Sequence, residues 1–266
     1  IFGSSMVGAL AYTFTDSFWF SAVEGEVYAM SSMCTALVFW AILKWEQVAD
    51  QKDSLRWIIL IAYVVGLSIG VHLLNLLTVP AIVFVIYFKK FKPTVWGGIK
   101  AFVLSIFILA FILYGVVPGI VYLFGKTELL FVNGFGLPFN SGTIFFALLV
   151  IALLIWGYRY TTKHDRPVIN AMVLAFSFML IGYTTFLILV IRSNANTPID
   201  ENNPEDAVSL LAYLNREQYG STPLFSGPYY NAPAIRAEDG NPVYTRDDKA
   251  GKYVITDDKK GTEIIY

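Results

Sequence analysis

Three carboxylates in one short segment are the residues best suited to chemistry. Asp16, Glu24 and Glu26 lie between two apolar stretches, with no Lys or Arg among them. A charged group beside hydrocarbon is costly and therefore often marks function. A carboxylate there can act as a general base or help to hold a divalent cation, because hard cations prefer oxygen ligands. The alternative interpretation is that Glu24 and Glu26 are solvated loop acids that help to start the next helix.

Aromatic side chains share this segment with the acids. They are Phe18, Trp19, Phe20 and Tyr28. Such rings can form the aromatic belt of a membrane interface or a wall on which a sugar stacks. We predict that Glu24 and Glu26 are catalytic. The predicted substrate-binding residues of the segment are Asp16, Trp19 and Tyr28.

Two polar groups interrupt the uncharged apolar run 57–88. His72 and Asn75 lie near its middle, where Gly70 also favours a break. We predict that both contact substrate, on the same side of the membrane as Glu24. A hydrogen-bonded packing role is the alternative for a His among apolar residues.

Four more residues are predicted to bind substrate. Arg192 ends an apolar run, and its planar guanidinium could bind a lipid phosphate. The alternative is that its side chain only extends to the water at the membrane surface, as Arg at the end of a span often does. Tyr229, Tyr230 and Asn231 could bind sugar or peptide, with a plain turn as the alternative.

The composition places these groups in a membrane protein. Hydrophobic residues make up 56% of the 266-residue chain and charged residues 15%, where soluble domains average about 25%. Residues 1–192 carry 20 of the 39 charged side chains, so the remaining 74 residues are far more polar. A net charge of −1 argues against nucleic acid as a partner. We therefore divide the chain into a transmembrane domain, 1–192, and an extracytoplasmic soluble domain, 193–266.

The apolar runs predict about seven membrane segments, since a span needs about 20 apolar residues. They are 1–14, 28–44, 57–71, 75–88, 101–124, 143–159 and 168–191. The run 57–88 is too long for one span, so we predict two short helices joined near 71–75. Residue 1 is Ile and the tail stops on a predicted strand, so we expect a longer polypeptide whose tail domain is truncated here.

Basic residues set the predicted orientation. Loops 44–56, 89–100 and 159–166 carry ten Lys and Arg residues, whereas the loops between spans on the opposite side and the outer end of the last span carry only Lys126 and Arg192. By the positive-inside rule these three loops are cytoplasmic. Loop 15–27, the joint 71–75, loop 125–142 and the tail then lie on the opposite side.

The tail reads as a small α+β domain. Asn203-Pro204-Glu205-Asp206 is a strong helix start, and Gly220 is a suitable stop. The alternating run 253–255 and the end of the chain predict short strands.

Several classes of site are excluded by missing motifs. The sequence has no phosphate-binding GxxxxGK[ST], no GxSxG and no CxxC. One Cys and two His argue against a zinc site, and we assign no metal ligand. A divalent cation held by the acids is the one cofactor left open.

Four motifs carry a resemblance to a known family. The stretch DSFWFSAVEGEVYA (16–29) resembles a motif of a large bacterial membrane family long described as of unknown function. GLSIGVHLLN (66–75) is similar to its second hallmark, and NREQYG (215–220) with GPYYNAP (227–233) resembles its segment after the spans. That family is related to eukaryotic protein O-mannosyltransferases.

The resemblance implies a GT-C-like glycosyltransferase in the bacterial inner membrane, with its C-terminal domain in the periplasm. It implies a polyprenyl-phosphate donor carrying mannose or another hexose, and Ser or Thr of a secreted protein as acceptor. The acid that typically serves catalysis in such enzymes would precede Ile1. Loop 15–27 would then be the second extracytoplasmic loop, and Glu24 and Glu26 further acids near the reaction.

Two other functions remain open. A noncatalytic subunit of an envelope or secretion complex would use the tail for docking. A lipid or solute transporter would need charged groups near the middle of the membrane and repeated broken helices. The predicted span interiors hold no acidic or basic residue, which favours the enzyme.

Overall fold

The structure, a computed structural model, describes residues 1–198, 200, 203–214, 229, 233, 236–239, 242, 244–255 and 262–265. This part of the chain is mostly helical, as the sequence predicts. Its α-helices are α1 Phe2–Thr13, α2 Asp16–Val23, α3 Val27–Val48, α4 Leu55–Ile69, α5 Val79–Lys90, α6 Val95–Ala110, α7 Val117–Leu129, α8 Ser141–Lys163, α9 Pro167–Tyr183, α10 Leu187–Ser193 and α11 Ala207–Leu214. Its strands are β1 Arg236–Asp239, β2 Tyr244–Asp247, β3 Lys252–Ile255 and β4 Thr262–Ile265.

Five continuous helical segments in the described part of the chain are long and apolar enough to cross a membrane. They are Val27–Val48, Leu73–Lys90, Val95–Gly134, Ser141–Lys163 and Pro167–Ser193. The polytopic membrane character is thereby supported. Helices α1 and α4, with 12 and 15 residues, are shorter than the roughly 20 residues that a straight span needs. The count of seven stays a prediction.

The predicted break in the run 57–88 is confirmed. Helix α4 ends at Ile69, a 3₁₀ turn covers Leu73–Thr78, and α5 begins at Val79. Pro80 lies in the first turn of α5, where its missing N–H costs nothing because no helical acceptor precedes it.

Two predicted loops contain more helix than expected. Loop 15–27 includes the two-turn helix α2, and the predicted loop 125–142 begins with the last residues of α7 and a π-helical turn, Leu130–Gly134. Glu128 therefore lies in the last turn of α7, near the end of the candidate span Val95–Gly134, and is fully buried. It lies outside the predicted span 101–124, so the absence of charged residues from the span interiors stays a prediction.

The chain packs as two compact units. The first consists of Ile1–Ile112 and Leu154–Phe186, and the second of Leu113–Leu153 and Leu187–Tyr266. The boundary at 192/193 was drawn from composition and stays a prediction.

Within the first unit, α4 and α9 approach closely through glycines. A Cβ on Gly66 would overlap the carbonyl oxygen of Met179, and one on Gly182 would overlap that of Tyr63. Small residues let membrane helices pack backbone against backbone in this way. Gly66 belongs to the second hallmark motif, so one face of that motif serves helix packing.

At the predicted cytoplasmic end of the first unit, Lys90 holds the end of α3. Its Nζ donates to the carbonyl oxygen of Ala49 and to the carboxylate of Asp50, each at 2.7 Å. The bond from Lys90 lowers the pKa of Asp50. A cation at a helix C-terminus also complements the helix dipole.

The second unit contains the end of the helical segment Val95–Gly134 together with the tail. Strands β2 and β3 pair antiparallel, as do β1 and β4. Helix α11 begins at Ala207, three residues later than Asn203-Pro204 suggested, because the carboxylate of Asp206 accepts from Val208 N at 2.9 Å and Ser209 N at 2.8 Å. The strand over 253–255 is confirmed; the predicted stop at Gly220 lies outside the described residues.

Candidate functional site

The turn between α2 and α3 presents the two candidate catalytic acids. Glu24 follows the last residue of α2, and Glu26 precedes the first residue of α3 with an extended backbone (φ −82°, ψ 160°). Gly25 between them has φ 71°, in the left-handed region that favours glycine. Both carboxylates are exposed, and Glu26 makes no side-chain cap bond to α3. They are therefore available to a ligand.

Helix α2 presents the aromatic part of the site. Trp19 is half-exposed and stacks on Phe14 with ring centroids 5.9 Å apart, while Phe18 contacts Tyr12 at 4.6 Å. Asp16 is exposed in the first turn of α2, where a negative charge suits the helix dipole. An exposed indole face beside carboxylates is compatible with either sugar stacking or an interfacial belt.

Hydrogen bonds within residues 68–78 shape the joint between α4 and α5. The carbonyl oxygen of Ser68 accepts from Val71 N at 3.0 Å and from His72 N at 2.7 Å. The side-chain amide of Asn75 donates to the hydroxyl of Ser68 at 2.9 Å, and the hydroxyl of Thr78 donates to the carbonyl oxygen of Asn75 at 2.7 Å. These bonds hold the backbone of the joint in place on both sides of His72, at Ser68 and at Asn75.

The imidazole of His72 has a defined tautomer. Its Nδ1 accepts from the backbone N–H of Leu74 at 3.1 Å, so the neutral ring carries its proton on Nε2. The ring also lies 5.4 Å from the ring of Tyr28, centroid to centroid. His72 is half-buried and can offer Nε2–H as a hydrogen-bond donor.

Helix α3 contacts the joint at two points. Tyr28 contacts His72, and the hydroxyl of Thr35 donates to the side-chain oxygen of Asn75 at 3.1 Å. Tyr28 and Thr35 are seven residues apart, so they share one face of α3 about 10.5 Å apart along its axis. This spacing fixes the joint against α3.

A groove of about 460 Å³ lies beside this joint, between α1, α3 and the 3₁₀ turn. Its apolar lining includes Ala36, Phe39, Leu74 and Leu77, and Thr35 also lines it. The groove has the size of an ordinary small-molecule site. Its lining along α3 begins one turn after Tyr28 and continues into the span.

The structure brings some predicted site residues together and leaves others apart. Tyr28 and His72 are in contact, and Asn75 belongs to the same joint. Asn75 is fully buried and takes part in two side-chain hydrogen bonds, so in this arrangement its side chain supports the joint. Glu24 and Glu26 precede Tyr28 at the same end of α3.

The remaining predicted residues lie in the second unit or outside the described part. Arg192 is exposed in the last turn of α10, and Tyr229 is exposed. Tyr230 and Asn231 lie outside the described residues. The roles of all four stay predictions.

Sequence reasoning missed two hydroxyls in the first unit, those of Thr35 and Ser68. Ser and Thr in apolar helices usually bond to their own helix backbone and give no sequence signal. Only the pairing of α3 with the joint brings Thr35 to Asn75.

Sequence reasoning also missed the buried Glu128. Its carboxylate accepts from Asn140 N at 2.5 Å, Thr143 N at 2.8 Å and the Thr143 hydroxyl at 3.0 Å. These donors lie at the start of α8, where an anion complements the helix dipole. Glu128 therefore acts as a cap for α8. The signal was an acid followed by an Asn-Ser-Gly-Thr sequence 12 residues later.

Tyr253 anchors the tail hairpin within the second unit. Its backbone N–H donates to the side-chain oxygen of Asn133 at 2.9 Å, and its carbonyl oxygen accepts from the Asn133 amide at 2.8 Å. Its hydroxyl donates to Asp206 at 3.1 Å. Burial, followed by the charges of Asp206 and Glu128, raises the pKa of Tyr253. The hydroxyl is thereby held in its protonated form.

Within the described ranges, no three or more His, Cys, Asp or Glu side chains cluster in a way that could hold an ion. Glu24 and Glu26 alone would supply carboxylate oxygens, fewer than the six to eight ligands that calcium takes.

Comparison with known proteins relates the first part of the chain to one family. Residues 1–95 match the family model described as protein O-mannosyl-transferase TMEM260 N-terminal domain. These 95 residues contain the acid-bearing turn, the joint and the groove. No curated protein and no solved structure matches the chain. The candidate site thus lies in a segment that is similar to protein O-mannosyltransferases.

Proposed function

We propose that this chain is part of a membrane glycosyltransferase with GT-C-like architecture. It transfers a sugar, mannose or another hexose, from a polyprenyl-phosphate donor to Ser or Thr of a secreted protein. The observation that carries the proposal is the contact of His72 with Tyr28, two residues after Glu26, inside the segment similar to O-mannosyltransferases.

The acids supply the base. As the acceptor hydroxyl oxygen forms its bond to C1 of the sugar, Glu24 or Glu26 takes the hydroxyl proton. The bond between C1 and the phosphate oxygen breaks, and the electron pair leaves with the polyprenyl phosphate. Positive charge that develops on the sugar ring is stabilised by the second carboxylate, as in other glycosyl chemistry. Proton transfer of this kind typically contributes about 10²–10⁴-fold.

His72 binds the leaving group in this proposal. Its Nε2–H donates to a phosphate oxygen, and such a charge-assisted bond strengthens as negative charge develops. Arg192 is a second candidate for the phosphate. Trp19 and Tyr28 offer ring faces on which the sugar can stack. Asp16 accepts a hydrogen bond from a sugar hydroxyl, and the groove accommodates apolar parts of the donor. We assign Asn75 to support of the joint.

The tail completes the proposal. Tyr229, Tyr230 and Asn231 would bind the acceptor peptide, and 193–266 would form the extracytoplasmic domain that follows the transmembrane domain 1–192. The acids, the joint and the tail would all face the periplasm of a bacterial inner membrane. The excess of Lys and Arg in loops 44–56, 89–100 and 159–166 supports this orientation.

A transfer assay tests the proposal. Membranes with the full-length protein are given a radiolabelled polyprenyl-phosphate hexose and a Ser/Thr peptide, with membranes lacking the protein as control. We expect label in the peptide. Label that crosses sealed vesicles without entering peptide would instead support a transporter. If label neither enters the peptide nor crosses the vesicle membrane, and the protein is bound in a larger complex, the result would support a noncatalytic subunit.

A further inference from the structure

We propose that Thr35 is a positioning residue that acts through Asn75 to fix the joint and so the direction of the His72 imidazole. The inference rests on the proposed function only for its kinetic consequences; its structural part can be tested without activity. Thr35 comes from α3, whereas His72 and Asn75 belong to the joint between α4 and α5.

Hydrogen bonds link α3 to the joint that carries His72. The Thr35 hydroxyl donates to Asn75, and the Asn75 amide donates to the Ser68 hydroxyl, which itself donates to the carbonyl oxygen of Val65. The carbonyl oxygen of Ser68 accepts separately from the backbone N–H of His72. Asn75 and Ser68 are fully buried. Water therefore cannot replace a lost partner at either residue without opening the joint, and an unsatisfied buried acceptor is costly.

The position of Thr35 makes it the link between two helices. Ser68, His72 and Asn75 are close in sequence, and the hydrogen bonds among them do not require contact with α3. The bond from Thr35 and the ring contact of Tyr28 relate this loop to α3, which begins directly after Glu26. Loss of the Thr35 hydroxyl should therefore leave a loop that still forms and whose imidazole is less strictly held.

The two histidines of the chain provide an internal measurement. His72 uses its Nδ1 lone pair to accept from Leu74, so its other nitrogen carries the proton. Nδ1 of His164 lies 2.9 Å from the carbonyl oxygen of Tyr160, which can only accept, so Nδ1 carries the proton and the Nε2 lone pair is free. His164 is also exposed. Diethyl pyrocarbonate reacts with an imidazole lone pair and should modify His164 faster.

The experiment compares modification of the two histidines in the full-length membrane protein by peptide mass spectrometry. We expect slow modification of His72 in the wild type. Thr35→Val, which keeps the shape and removes the donor, should raise the ratio of His72 to His164 modification about threefold to tenfold, the range for loss of one net hydrogen bond. Thr35→Ser keeps a donor and should restore the low ratio. Ser32→Ala, a hydroxyl removed one turn earlier on α3, should leave the ratio unchanged.

Three results would overturn the proposal. They are an unchanged ratio in Thr35→Val, an equal rise in Ser32→Ala, and an equal rise in Thr35→Ser. Where transfer activity is present, a double-mutant cycle with His72→Gln gives a second test. We expect Thr35→Val to lower kcat in the wild-type background and to have little further effect beside His72→Gln, because residues in one network are not additive. Additive losses would also overturn it. If wild-type protein transfers no sugar, the proposed function fails, while the modification ratio still decides the role of Thr35.

Discussion

The ring of Tyr28 lies 5.4 Å from the imidazole of His72, which places the start of α3 against the joint between α4 and α5. Two residues before Tyr28, Glu26 ends the acid-bearing turn. The imidazole of His72, which can donate a hydrogen bond, and two carboxylates thus occur near the start of α3. This relationship is why we treat the predicted catalytic segment and the predicted joint as one candidate site.

Replacement of His72 should separate hydrogen bonding from packing. His72→Gln keeps an N–H donor and should retain more transfer activity than His72→Ala. A hydrogen bond to a charged group contributes about 1.5–3 kcal/mol, so we expect His72→Ala to lose about 10- to 150-fold. Initial rates with the labelled donor measure this. Equal losses in the two variants would mean that His72 acts through its shape alone.

Packing of α4 on α9 should be sensitive to a single methyl group. Gly66→Ala and Gly182→Ala each place a Cβ against a backbone carbonyl, and overpacking of this kind costs about 1–3 kcal/mol. Gly98→Ala is the matched control, because a Cβ there meets nothing within 4 Å. Thermal unfolding in detergent should show a lower midpoint for the first two variants only. A similar midpoint for all three would contradict the close approach.

The buried carboxylate of Glu128 should stabilise the second unit. Glu128→Gln replaces an accepting oxygen by an amide that faces backbone N–H donors, and we expect a loss of about 1.5–3 kcal/mol in the free energy of unfolding. Glu46→Gln, an exposed acid on α3, should change it little. Hydrogen exchange of 140–143 provides the measurement. Unaltered protection there would show that Glu128 does not cap α8.

The hairpin β2–β3 should loosen in alkali. The pKa of Tyr253 is raised in the folded state above the ordinary value of 10.0, mainly by burial. The corresponding stability is fully present below about pH 10 and is lost as the pH rises toward the folded pKa. Proteolysis of 244–255 should therefore accelerate in the wild type as the pH rises from about 9 to about 11, on either side of the ordinary pKa of Tyr.

Tyr253→Phe supplies the control for this pH dependence, since other groups titrate in the same range. The variant should lose the bond to Asp206 and be less stable at neutral pH. Its proteolysis should then rise less steeply above pH 10 than that of the wild type. Parallel pH profiles for the two proteins would exclude Tyr253 as the responsible group.

The break at 71–75 could be predicted from the sequence because its causes are local. Gly70, His72, Asn75 and Pro80 all disfavour a continuous apolar helix, and a 32-residue run is too long for one span. Helix α2 was missed because acids and Gly25 are typical of a loop, and its two turns depend on packing against α3. A short helix outside the predicted spans was therefore less predictable than the long apolar helices.

The roles of single polar residues depended on tertiary contacts. Asn75 was correctly placed at the joint, but it is fully buried and accepts a hydrogen bond from Thr35 of α3, which the sequence does not indicate. Glu128 was assigned to a loop because the return of 140–143 over it cannot be read locally. Glu24 and Glu26 were easier to select as candidates, since charge beside apolar residues is itself the signal, and their catalytic role stays a prediction.

The most direct measurement compares Glu24→Gln and Glu26→Gln in the full-length protein with the matched control Glu46→Gln, an exposed acid at the other end of α3. The measured quantity is the rate at which labelled hexose moves from polyprenyl phosphate to the acceptor peptide. We predict that at least one of the first two variants loses about 10²–10⁴-fold, the usual contribution of a general base, while the control keeps the wild-type rate. Wild-type rates in both Glu24→Gln and Glu26→Gln would contradict the assignment of catalysis to this turn.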